Sequence, residues 1–159
     1  MKNFSSPGAF ALHLAALAAE APEVVHHVAD ASGKEIQLTA QGMIGDYQKE
    51  IGPYPAWEEL ADSTKEERAH LGFSENDPGY RSGAMQRSIT RKTGASESVV
   101  GSDDQHLVWF DMGTPNQPPR PVFGPAAIHS EPRVKKIIGG TVFAWLAGRG
   151  WLRPRLKSS

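Results

Sequence analysis

The chain has 159 residues, 39% hydrophobic and 22% charged, with a net charge of −1; this is the balance of a single domain large enough to bury a core. It contains no cysteine, which excludes disulfides, thiolate nucleophiles and cysteine-ligated metals. No apolar run approaches the roughly 20 residues that span a bilayer, and the opening residues lead into a pattern interrupted by His13 and Glu20, unlike a secretory signal.

Near-neutrality hides a strong asymmetry. Residues 1–80 carry five Lys/Arg against thirteen Asp/Glu, and residues 81–159 carry twelve against five. Such polarity can steer association with a partner or with another copy of the chain, although two solvated faces would give the same count.

In chain order, Pro7 to Ala19 reads as a short helix, with Ser6 as its cap, Pro7 in its first turn, and Phe10, Leu14 and Leu17 at helical spacing. Pro22 is expected to open a second, longer helix reaching about Lys49, weakened by Gly33 and Gly42 and stopped near Gly52-Pro53. Residues 52–80 are proline-rich and irregular, apart from a short helix at Ser63–His70 capped by Ser63 with Glu66 or Glu67. This stretch reads as an arm anchored by Trp57 and Leu60.

Ser82 to Ile89 is expected to be a helical turn running into a strand. Ser88–Thr93, Ser98–Ser102 and Leu107–Met112 then read as three antiparallel strands with short separators. In the third, Leu107, Trp109 and Asp111 alternate with Val108, Phe110 and Met112, so both faces are largely apolar, as in a central or interface strand. Gly113–Pro125 holds five prolines and reads as a rigid extended arm. A final helix is expected from about Ala126 to Leu146, kinked or restarted at Pro132. The expected class is α+β: a small, mainly antiparallel sheet packed by a long N-terminal helix and a C-terminal helix. Residues 1–148 would form one domain, and 149–159 a basic tail.

No phosphate-binding loop, dinucleotide fingerprint, nucleophile elbow or zinc-protease motif occurs in the sequence. His26 and His27 are neighbours on a helix, about 100° apart, and do not easily share a metal. His106 beside Asp103 and Asp104 reads as a polar turn, and Ser88, Ser102 and Ser130 have no base at a recognisable spacing. Neither an enzyme activity nor a cofactor or metal site is expected. Asp111 and Arg120 are expected to form an ion pair that fixes the proline-rich arm. Gly83, Gly101, Gly113 and Gly124 read as turn residues. In the tail, Arg149, Arg153, Arg155 and Lys157 could touch DNA phosphates or an acidic protein face.

Four blocks, in order, carry a resemblance. They are Trp57-Glu58-Glu59-Leu60-Ala61-Asp62-Ser63-Thr64; Arg81-Ser82-Gly83-Ala84-Met85-Gln86-Arg87-Ser88-Ile89; Val100-Gly101-Ser102; and Phe110-Asp111-Met112-Gly113-Thr114 followed by Pro119-Arg120-Pro121-Val122-Phe123-Gly124-Pro125-Ala126. Together they resemble tailed-bacteriophage head–tail joining and tail-completion proteins, related to minor tail protein Z and the virion-morphogenesis proteins. Ser82 and Met85 stand where that family usually has Thr and Leu, and Asp111 where it has Glu. The resemblance runs from about residue 8 to residue 147 and leaves the basic tail without a counterpart.

The resemblance implies a structural virion protein of the neck, made in the bacterial cytoplasm. It would form a ring, hexameric or dodecameric, that completes the tail and joins it to the head connector. Its partners would be itself, connector or stopper proteins and the tail tube or terminator; DNA would only pass through the channel, and no membrane is involved. Trp57, Leu60, Trp109, Phe110, Asp111, Thr114, Arg120 and Phe123 are the expected contact residues. The alternative is a nucleic-acid-binding module using the basic C-terminal third.

Overall fold

A single helix, α1, runs from Pro7 to Met43 and carries the rest of the fold. The computed structural model describes residues 4–151; Arg153, Arg155 and Lys157 lie outside the described residues. Ser6 caps α1 as expected, its Oγ accepting from the backbone N–H of Ala9 at 3.2 Å. The two expected helices are in fact one, because the chain passes through Pro22 without a break. A proline inside a helix forfeits one hydrogen bond, here to the Ala18 carbonyl; both residues are exposed, so water can take that bond. The merged helix also revises the membrane expectation: by length and composition alone it could cross a bilayer, with an 18-residue window of mean hydropathy 1.3.

α1 ends at Met43, earlier than expected, where Gly45 turns the chain at φ 109° and donates its N–H to the Pro78 carbonyl. A short helix, α2, spans Asp62–His70; Ala61 occupies its cap position, and neither Ser63 nor Glu66 caps it. Helix α3 (Ala84–Ser88) leads into a hairpin of β1 (Thr90–Thr93) and β2 (Ser98–Gly101), antiparallel with Thr90 opposite Gly101.

The expected third strand is a helix, α4, at Gln105–Met112. Asp104 caps it by accepting from the His106 N–H at 2.9 Å, and Gly113 stops it at φ 79°, where a side chain would meet Pro119 N within 2.8 Å. The last helix, α5, spans Phe123–Leu146 and continues through Pro132. Class α+β therefore holds, with the sheet reduced to one hairpin.

α5 lies antiparallel along α1: the Ser130 hydroxyl donates to Thr39 Oγ1 at 2.9 Å, and one turn further Arg133 pairs with Glu35 at 2.7 Å. The hairpin packs on another side of α1. Gly33 makes this possible, since a Cβ there would run into the Ser98 side chain. The glycine that weakens the helix locally is thus the one that lets the hairpin dock. Gly33→Ala should lower stability by about 1–3 kcal/mol despite its better helix propensity. Urea denaturation checks this, and Ser98→Gly in the same chain should restore part of the loss.

Candidate functional site

Trp57 stands at the centre of the region where the four sequence blocks meet. It is 6% exposed, packs edge-on against Phe110 with ring centroids 5.2 Å apart, and donates from Nε1 to the Pro121 carbonyl at 3.0 Å. Phe110 and Leu107 sit three residues apart on the inner side of α4, beside Ile89 and Val122 in the core.

Arg120 is 3% exposed and binds carbonyls, not a carboxylate. Its Nη2 donates to the Glu58 and Glu59 carbonyls at 2.9 and 3.2 Å, and its guanidinium lies 5.8 Å from the Phe110 ring centre. Burial pulls its pKa below the ordinary guanidinium value. The expected Asp111–Arg120 ion pair is not formed. Asp111 Oδ1 instead accepts from the N–H groups of Val122 and Phe123 at 2.7 and 3.4 Å, where α5 begins. The free N–H groups and positive dipole end of a helix suit a carboxylate, so Asp111 caps α5 from a neighbouring element.

Arg68 does similar work in the irregular segment. Also 3% exposed, it donates to the Ser74 and Tyr80 carbonyls, each at 2.6 Å. Leu60 is held by its backbone N–H on the Tyr47 hydroxyl at 3.0 Å. Two buried arginines thus organise residues 57–80 by binding backbone carbonyls. A lone Arg in a loop gives no sequence signal for this, and the role of Arg68 was not legible in the sequence.

These elements enclose an open groove of about 750 Å³, lined by Leu60, Met85, Trp109, Phe110, Arg68 and Arg120, with Glu59, His106 and Asn116 at its edges. Most of its charged groups are already engaged: Glu59 with Lys65 at 3.0 Å, Arg81 with Glu67 at 3.6 Å, and Asp104 with His106. The His106 backbone N–H, then its ring, hold the Asp104 carboxyl below its ordinary pKa. The Lys65 ammonium is raised by its hydrogen bond to Glu59. The open lining combines the polar side chains of Glu58, Asn116 and Gln117 with a larger apolar share. Trp109 is 48% exposed, and Val108 and Met112 beside it on α4 are exposed too.

Of the expected contact residues, Trp57, Phe110 and Arg120 are therefore inside the chain, where they support a surface without forming it. Asp111, Leu60 and Phe123 are half-buried, and Trp109, Thr114 and Arg149 are exposed. Gly83 and Gly113 have positive φ as turn residues, whereas Gly101 lies in β2 and Gly124 in α5, packed so tightly on the Tyr54 ring that no Cβ fits.

The remaining polar candidates are absorbed by the fold. His26 donates from Nδ1 to the Gly94 carbonyl at 2.8 Å, and His27 packs against Trp151. Ser88 and Ser102 bond each other at 2.7 Å. Among the described residues, no group of three or more His, Asp or Glu converges in a metal-holding arrangement. In comparisons with known proteins, the chain matches no family model, no curated protein and no solved structure.

Proposed function

We propose that the chain is an assembly protein of a tailed-bacteriophage neck, forming a ring that completes the tail and joins it to the head connector. The observation that carries this reading is the exposed apolar face of α4, Val108, Trp109 and Met112, beside a groove whose charges are largely spent within the chain. Such a site suits docking of an apolar side chain from a partner better than stabilising charge on a reacting substrate. Three of the four blocks that carry the phage resemblance contribute residues to the groove, and the fourth, Val100-Gly101-Ser102, sends Val100 to the core behind it. Trp109, held on a rigid helix by Phe110 beneath it, has the character of an interface anchor.

Light scattering tests the proposal. The wild-type chain should run as an oligomer, with rings visible by electron microscopy. Trp109→Asp should weaken assembly by at least about 2 kcal/mol, roughly thirty-fold, with unchanged helix content. An unchanged mass for Trp109→Asp would sink the proposal. Monomers that bind duplex DNA with a steep salt dependence would favour the nucleic-acid reading instead. Phe110→Asp is not a usable probe, because Phe110 is core and its loss would unfold the chain.

A further inference from the structure

The side of α1 that faces α5 continues well past the end of α5. Positions 10, 14, 17 and 21 fall on the same side of a helix as 28, 32, 35 and 39, five turns later. The later set meets α5 through Glu35–Arg133 and Thr39–Ser130. In that antiparallel register the last turn of α5 lies near Pro22, and Trp151, just beyond it, lines a hollow with Pro22 and His27. N-terminal to this point no described residue buries α1. No residue from Pro7 to Glu23 is buried, burial begins at Val24, and Phe10 and Leu14 are 47% and 48% exposed.

A second uncovered stripe lies on the outer side of α5. Ile138, Val142 and Leu146 recur every fourth residue, Phe143 beside them is 67% exposed, and Gly139 has open space above it. We infer that the projecting segment Pro7–Ala21 of one copy docks on the Ile138–Val142–Leu146 face of α5 in the next copy. The inference rests on the assembly reading above and supplies a contact separate from α4. Donor and receiver differ, so the arrangement is head-to-tail, and a rotation that closes produces a ring.

Charge favours a sister chain over a lipid surface. From Asn3 to Gly33 the sequence has no Lys or Arg and carries Glu20, Glu23 and Asp30, whereas the receiving helix carries exposed Lys136 and, paired with Glu131 one turn back, Lys135. An interfacial membrane helix would need cations beside its apolar face, and this segment has none. Pro22 sits where the support of α5 ends, so the projection can tilt onto its neighbour there.

The absence of cysteine allows a direct test. One preparation carries Leu14→Cys and another Leu146→Cys, and the two are mixed at assembling concentration under mild oxidation. Bonds between positions 14 and 146 should exceed 14–14 bonds by at least about tenfold, and Leu14→Glu or Phe143→Glu should raise the concentration for half-assembly about tenfold or more with unchanged circular dichroism. Predominant 14–14 bonds would overturn the inference in favour of symmetric helix pairing. Capture by neutral phosphatidylcholine vesicles without 14–146 bonds would overturn it in favour of a bilayer. If Trp109→Asp dissociates the wild-type oligomer but Leu14→Glu and Phe143→Glu do not, this contact is wrong and the assembly reading stands. A wild-type chain that stays monomeric removes both.

Discussion

Trp57→Ala is expected to remove about 3–5 kcal/mol of folding stability, a large share of the 5–15 kcal/mol typical of a domain. Three losses combine. The buried indole leaves a cavity against Phe110, its edge-on aromatic contact disappears, and the Pro121 carbonyl loses its donor. Residues 113–122 have few backbone donors of their own, because proline removes them, and lean on this contact together with Arg120 and Val122. Urea denaturation followed by far-UV circular dichroism gives the number. Trp57→Phe separates the contributions: it keeps most of the ring packing and should lose only about 1 kcal/mol for the hydrogen bond, plus a smaller volume term. A loss below about 1 kcal/mol for Trp57→Ala would show that the arm is held by something other than this contact.

Arg120→Ala should cost about 2–4 kcal/mol, from carbonyls left without donors and from the packing of the side-chain stem. The guanidinium forks across two successive carbonyls, Glu58 and Glu59, while its face rests on Phe110. Arg120→Lys should recover less than half of the loss, since an ammonium cannot reproduce a planar fork. Trp57 and Arg120 share Phe110 as a neighbour, so their losses should not add. A double-mutant cycle should give a coupling of about 0.5–3 kcal/mol, and strict additivity would contradict the shared cluster. Both variants should also disturb assembly, because the helix that displays Trp109 stands on this cluster.

The places where sequence reading succeeded and failed have separate physical causes. The hairpin was legible because its strands are short and separated by a turn-like Gly94-Ala95-Ser96. Residues 107–112 were not, because Leu-Val-Trp-Phe is apolar at every position and has no period of its own. The decisive marks were the flanking ones: Asp104 as a helix cap and Gly113 as a stop, both visible in the sequence and both read as turn residues. At Pro22 the proline rule gave a boundary, yet the helix tolerates the missing bond where its carbonyl meets water. Asp111 was correctly expected to need a partner, but charge pairing named the wrong one. Backbone N–H groups at a helix start compete with any arginine for a carboxylate, and a sequence cannot show which is nearer.

The dominance of α1 has a consequence for biosynthesis. α1 is translated before its main partner, α5, which emerges roughly a hundred residues later. At 5–20 residues per second, the long apolar flank of the newborn chain stays bare for about 5–20 s. Over that interval the nascent polypeptide is a natural client for ribosome-associated chaperones, and its yield in cells should depend on them more than the stability of the finished fold would indicate.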